Sequence, residues 1–515
     1  MNDSRWFPNL RAAHRLFAVL SLFLIGPSAV PASAQNNAYE ALAARVADLA
    51  AQVDQHKAAL EEQRRLIDRQ AALLRDMEGQ LARANGGASA SGTQAVEAAR
   101  ESAPLAASLE GPSAGLAAAP AAAVSAPPAP QARLEAPADP NSMRASWNNG
   151  LQFDSADGNF QVRIGGRIHN DWAFFSSADA IENVVGPIQD GTEFRRTRLH
   201  VDGQIHRNVN FRAEYDFAGG LAVRDVSVGV SELPGVGNVR VGHFKEPFSL
   251  EEITSDNYIT FLERSLPNTF APSRNIGIMA FRALPQQRMT LQLGLFRDTN
   301  GVGEGFGDGK YNLTGRVTGR PWYADGGRKL FHAGLAYSRR KSVEGQFRFS
   351  GRPEAHLAPS FVDTGSFAGS TLHLIGTEAM LVLGPASVQS EYMHAFADRP
   401  GAGRADFSSF YVFGSYFLTG EHRTYSNEDG LPGRIRPNRN FGGLGDGWGA
   451  WEVVARFSRL DLDDQPIFGG VLQDATLGLN WYLNPNTRIM WNYVAADRVD
   501  IGRANSFQTR FQVDF

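Results

Sequence analysis

Arg196, Arg198 and His200 stand at alternate positions, separated by Thr197, Leu199 and Val201. In an extended chain a period of two sends these sets to opposite faces, one cationic and one largely apolar. Arg163, Arg167 and His169 form a second basic set on one face. Guanidinium groups lining a narrow wet passage replace part of the hydration shell of an anion, and their planar forks fit phosphate oxygens. A low-dielectric wall around them strengthens that field. The chemistry on offer is the recognition and passage of anions. Bond-making chemistry finds no support. Asp461, Asp463 and Asp464 offer oxygen ligands for a weakly held Ca²⁺, or equally a solvated outer loop against divalent-rich lipopolysaccharide. Gly301 to Gly307 is glycine-rich but lacks the spacing and ending of a phosphate loop. The histidines lack metal spacing, and no serine sits in a nucleophile elbow. No catalytic, metal or cofactor site is expected.

Residues spaced in this way need strands to hold them, and the chain is built of such strands from about Gly158 to its end. In the last one, Phe507, Thr509, Phe511, Val513 and Phe515 alternate with Gln508, Arg510, Gln512 and Asp514. Trp451, Val453, Ala455 and Phe457 alternate with Glu452, Arg456 and Ser458, and Leu477, Leu479, Trp481 and Leu483 with Thr476, Asn480 and Tyr482. No apolar run there approaches the ~20 residues of a membrane helix. Alternating segments separated by turn residues, with aromatics gathered at their ends, are the signature of a transmembrane β-barrel. About sixteen strands are expected. They begin near Phe160, Gly191, Asn208, Ala222, Gly237, Asn275, Arg288, Tyr311, Lys329, Thr371, Ala386, Ala405, Ala450, Gln473, Asn486 and Asn505. A soluble sandwich or propeller would show a repeat or two packed faces, and neither is visible.

The rest of the chain fits export to an outer membrane. Arg11 and Arg15 precede an apolar core, Leu16 to Ile25, followed by Ala32-Ser33-Ala34, so residues 1–34 read as a signal peptide. Residues 39–82 carry Leu42, Val46, Leu49, Val53, Leu60, Ile67, Leu74, Met77 and Leu81 at heptad spacing, with His56, Gln63 and Gln70 in the same seam. So narrow a strip favours a periplasmic coiled coil over a lone amphipathic helix. Residues 83–145, rich in Ala, Pro, Gly and Ser, form a flexible linker, and residues 146–515 the barrel. The formal charge is −4. The first 34 residues carry Arg5, Arg11 and Arg15 against Asp3, leaving about −6 for the remainder. A nucleic-acid partner is therefore not expected. There is no cysteine, which excludes a disulfide scaffold and thiol chemistry.

With both barrel ends at the periplasmic side, most periplasmic turns are short, as at Arg207-Asn208, Gly384-Pro385 and Asn484-Pro485-Asn486. Residues 420–448, holding His422, Arg423, Arg434, Arg436 and Arg439, are an exception. Loops this long are usually functional, and two poses are open: folded into the lumen, or loose in the periplasm. On the outer side, Lys245 to Arg274 is a third loop long enough to fold over or into the barrel mouth.

That third loop carries the most distinctive string of the chain. Val241-Gly242-His243-Phe244-Lys245-Glu246-Pro247-Phe248-Ser249-Leu250-Glu251-Glu252 is followed by Phe261-Leu262-Glu263-Arg264-Ser265 and by Phe270-Ala271-Pro272-Ser273-Arg274. With Phe194-Arg195-Arg196 and the terminal Phe515, this resembles the phosphate-selective porin O and P family of Gram-negative outer membranes. The resemblance implies an inward third loop that constricts the lumen. It also implies an anion pathway that includes Arg195, Arg196 and Arg264, with a hydroxyl at Ser255 and a carboxylate at Asp225. By parity Arg198 joins them, whereas Arg195 has lipid-side parity. A mid-membrane arginine costs ~2–4 kcal/mol, so Arg195 belongs near the strand's outer end or on a bulge that turns it inward. The chain departs from the family at Glu252, where strongly phosphate-selective members carry lysine. Glu252 repels phosphate or pairs with Arg196 or Arg264, and Lys245 at the loop's start is no assured substitute. The expected protein is an outer-membrane porin, a homotrimer in contact with lipid and lipopolysaccharide, passing small anions, phosphate and polyphosphate included. Two alternatives stand beside it: a general or cation-preferring porin, and an envelope tether reaching peptidoglycan.

Overall fold

The computed structural model describes residues 142–442 and 447–515. The signal peptide, the coiled coil and the linker up to residue 141 lie outside the described residues. The sheet begins at Met143, three residues before the expected boundary. Met143–Trp147 and Leu151–Ser155 form a hairpin whose second strand pairs with Gln161 to Ile164.

Sixteen antiparallel strands follow: β1 (Phe160–Ser177), β2 (Gly191–Ile205), β3 (Val209–Asp216), β4 (Ala222–Leu233), β5 (Gly237–Lys245), β6 (Arg274–Ala283), β7 (Met289–Arg297), β8 (Asn312–Ala324), β9 (Lys329–Lys341), β10 (Thr371–Leu383), β11 (Ala386–Arg399), β12 (Gly403–Phe417), β13 (Ala450–Asp464), β14 (Ile467–Asn484), β15 (Thr487–Arg498) and β16 (Gly502–Asp514). Each pairs with its sequence neighbour, and β16 pairs with β1 from Ala504↔Ser177 to Asp514↔Arg167, closing the barrel. Closure leaves none of the sixteen barrel strands without a neighbour on either side. The seam is tight at the C-terminus. Phe515 and Gly166 exchange two backbone hydrogen bonds of 2.6 and 3.0 Å. A Cβ on Gly165 would lie 2.5 Å from the Phe515 carbonyl oxygen, which is why glycine stands there.

Alternation sorts the wall. Ile168, Trp172, Leu199, Val241, Leu293, Leu477 and Phe511 are exposed on the outside, while Arg167, His169, Arg198, Arg456 and Arg510 are buried on the inside. The inside is buried because three connections enter the lumen. The first is the segment 246–273 between β5 and β6, which contains a short helix, Leu250–Ile253. It crosses to the far wall. The amides of Leu250 and Glu251 donate to Glu391 of β11 at 2.9 and 2.7 Å. Asn480 of β14, Arg488 of β15 and Arg510 of β16 donate to the carbonyls of Thr260, Ile259 and Leu262.

The second is the segment 342–370 between β9 and β10. Its Phe349, Phe361 and Phe367 pack with Leu266, Phe270 and Phe407. Its Glu354 accepts from Arg456, Ser458 and Thr476 at 2.9, 2.7 and 2.6 Å. The third is the long connection between β12 and β13, which rises from the rim that holds the C-terminus. Tyr425–Ser426 pairs with Leu431–Pro432, Arg316 of β8 donates to the Gly430 carbonyl at 3.1 Å, and Tyr425 and Leu431 pack on Leu250, Leu330, Met380 and Val382. Of the two poses open for residues 420–448, the described part takes the inward one.

Candidate functional site

The three segments fill the lumen along β8–β16. Against β1–β7 a cavity of about 1300 Å³ remains, bounded across the lumen by Ile253 to Tyr258 and by Ser426 to Arg434. Its lining includes nine Arg or Lys side chains and six Asp or Glu side chains, with the C-terminal residue Phe515. That excess of cations arises in a chain whose total charge is negative.

The bulge that would turn Arg195 inward is present. His169 pairs with Arg196 and Asn170 with Phe194, which leaves Arg195 as the extra residue of β2. Phe194 stays outside, exposed. Arg195 reaches Glu263 with Nε and Nη2 at 2.8 and 3.0 Å. The neighbouring Arg196 has its Nε 3.0 Å from Asp256 and Nη1 4.0 Å from Glu263, both without hydrogen-bond angles. Arg198 holds Asp216 and Asp256 at 2.7 Å each and Glu214 at 3.3 Å. Arg264 binds Asp256 at 2.8 Å and Glu252 at 3.2 Å, and donates to the carbonyls of Glu251, Glu252 and Thr254. Lys245 donates to the carbonyl of Glu252 and lies 3.5 Å from its carboxylate. Asp225 takes a two-pronged contact from Arg274 at 3.2 and 3.1 Å. Ser255 lines the cavity, and its hydroxyl accepts from the Asn257 amide at 3.4 Å.

Thus Arg195, Arg196, Arg198 and Arg264 do come together, but on carboxylates. Of the two pairings open to Glu252, that with Arg264 forms. Arg196 is engaged by Asp256 and Glu263 instead, because the bulge sets it beside those two acids. The residue that organises the cluster is Asp256, which sequence reasoning missed. It is 2 % exposed and lies within 4.0 Å of Arg167, Arg196, Arg198 and Arg264. A usable signal existed: the third loop carries Glu251, Glu252, Asp256 and Glu263, and such a run of acids facing a basic wall has to pair with it. Glu214 and Asp216 were legible too, alternating with Arg212 on the strand beside Arg198.

Burial opposes ionisation of Asp256, but the guanidiniums of Arg196, Arg264 and Arg198 outweigh it and hold its carboxyl well below the usual range. Glu263 is likewise held well below its usual range: burial raises it, and Arg195, Arg196 and Arg510 more than reverse that. A carboxyl depressed on folding stabilises above its unfolded value, near pH 4, and loses that contribution as pH falls through the lower folded value. The difference in KCl conductance between the parent and Asp256→Asn should therefore persist from about pH 7 to pH 5, because Asp256 stays ionised throughout. A difference that vanishes inside that window would contradict the pairing of Asp256.

Asp461 and Asp463 are joined by local contacts, including the Asp463 amide on Asp461 at 3.2 Å. Among the described residues no group of three His, Cys, Asp or Glu side chains could hold a metal ion.

A closed sixteen-stranded barrel with an apolar exterior and a charged, partly filled lumen defines a channel of the outer-membrane porin class. The chain belongs to the phosphate-selective porin O and P family, whose model matches residues 162–515. An uncharacterized protein of Caulobacter vibrioides is 30% identical over 378 residues, covering 70% of this chain and 73% of its own. Porin O of Pseudomonas aeruginosa is 24% identical over 423 residues, covering 71% and 91%. Among solved structures, the anion-selective porin from Comamonas acidovorans aligns with a TM-score of 0.44 at 15% identity, over 69% of this chain and 100% of its own. Membership places the protein in the outer membrane and in a class of channels, not enzymes.

Proposed function

We propose that this porin passes small anions by diffusion, phosphate and polyphosphate among them, through a lumen constricted by residues 246–273. The observation that carries the reading is the cationic excess of the cavity lining, since like-signed charges in a low-dielectric cleft concentrate counter-ions. The family description supports phosphate as one of those ions. Glu252 tempers it. Its carboxylate compensates Lys245 and Arg264, so inorganic phosphate finds a weaker site than a lysine there would give.

The test is the zero-current potential of the full-length protein in a planar bilayer across a KCl gradient. The expected sign is that of chloride preference, and a potassium-preferring potential would reject the reading. Glu252→Lys should strengthen the block of chloride current by phosphate, and an unchanged block would remove this position from the ion path. We also propose a homotrimer. The exposed large apolar residues of β5–β7 are Val241, Ile276, Ile278, Met289, Leu291, Leu293 and Leu295, without the aromatics that mark a lipid interface, which supports contact with protein there. A monomeric mass in mild detergent would reject it.

A further inference from the structure

Arg240 differs from the other arginines of the cavity. It projects inward from β5, since its neighbours Val239 and Val241 pair with outward residues of β6. Among the described residues it has no carboxylate within 4.0 Å and no hydrogen bond. Its guanidinium instead lies 5.5 Å from the centre of the Phe244 ring and 5.2 Å from that of Phe281. Asp225, the nearby acid of β4, is taken by Arg274, and Asp429, on the segment across the cavity, accepts from Ser426. Arg240, Met279 and Phe281 all line the cavity. Met279 stands directly opposite Arg240 in the β5–β6 register, and Phe281 opposite Asn238.

The wall thus offers one uncompensated fork of donors beside a ring and a thioether. A hydrated inorganic phosphate needs several donors and gains nothing from the apolar part, which would strip its water without replacing it. An organic monoanion uses both halves: its carboxylate takes the guanidinium, and its flat body lies on Phe281 and Met279. We propose that Arg240, Phe281 and Met279 form a binding subsite for organic monoanions with a flat apolar body, aromatic carboxylates above all. The inference rests on the anion-porin reading and narrows its substrate class.

The test uses the full-length protein in planar bilayers at neutral pH, with chloride current titrated by benzoate, acetate and phosphate. Benzoate should half-block at a concentration roughly fivefold below that of acetate, the scale of one aromatic contact. Arg240→Gln should abolish the difference, and Phe281→Leu should weaken the benzoate block while leaving that of acetate in place. Equal block by benzoate and acetate in the unaltered protein would overturn the subsite, as would a benzoate block unchanged in Arg240→Gln or in Phe281→Leu. Should Arg240→Gln fail to fold, Phe281→Leu alone decides. The zero-current potential separates the two levels. Chloride preference without a benzoate advantage removes only the subsite, whereas cation preference removes the anion reading and the subsite with it.

Discussion

Asp256→Asn should make the channel more anion-selective and its third loop less firmly held. The side chain is 2 % exposed and is the shared counter-ion of Arg167, Arg196, Arg198 and Arg264. Asparagine keeps the shape but removes the charge, and its amide donors face guanidinium donors. Breaking a buried pair in this way costs about 3–5 kcal/mol. The loss should appear as a lower temperature for the loss of heat-resistant mobility on detergent gels. The uncompensated charge acts on the ion path as well. One unit charge about 8 Å from an ion, at an effective dielectric constant of about 20–40, is worth about 1–2 kcal/mol. That corresponds to about a tenfold lower half-blocking phosphate concentration. Unchanged block together with unchanged stability would mean that Asp256 does not hold these arginines in the membrane.

Arg456→Met should open the lumen. Arg456 is the point at which two loops meet one strand: it binds Glu251 of the segment 246–273 at 3.2 Å and Glu354 of the segment 342–370 at 2.5 Å. It also donates to the Glu263 carbonyl at 3.0 Å and lies 4.1 Å from the Phe261 ring centre. Methionine fills part of the volume but leaves two buried carboxylates without their cation, a loss of about 3–5 kcal/mol. The barrel itself is held by continuous backbone ladders on both sides of β13, so the cost falls on the loops. Conductance should rise and flicker between levels, and both loops should become sites of proteolytic cleavage. A steady conductance equal to that of the parent would show that Arg456 does not tether them.

The wall of this molecule was legible in its sequence, whereas what fills the wall was legible only in part. Lipid imposes a period of two on every strand, so β13, β14 and β16 could be read residue by residue, and all sixteen strands were anticipated. Boundaries drifted where inward residues turn apolar: β14 was expected from Gln473 and begins at Ile467, because Ile467 and Leu472 are buried against the segment 342–370 in place of a wet lumen. The inward third loop was expected from the family string, and its contacts with β11 and β14–β16 agree. The segment 342–370 was not anticipated, since Glu354 and its four phenylalanines carry no periodic signal and gain meaning only from strands far away in sequence. The same holds for Asp256. Parity gave the direction of Arg196 and Arg198, but only the register shift at His169/Asn170 decides Arg195, and a bulge leaves no mark in composition.

The path of ions through the lumen can be measured directly, because the chain contains no cysteine. Ser227 lines the open cavity against β4, while Ser458, on the inner face of β13, is fully buried and donates to Glu354 at 2.7 Å. In Ser227→Cys a charged, water-soluble methanethiosulfonate added to an open channel should change the current within seconds, and in Ser458→Cys it should have no effect. Equal reactivity at the two positions would mean that water and ions reach the β8–β16 side as freely as the β1–β7 side, and the off-centre passage would be wrong.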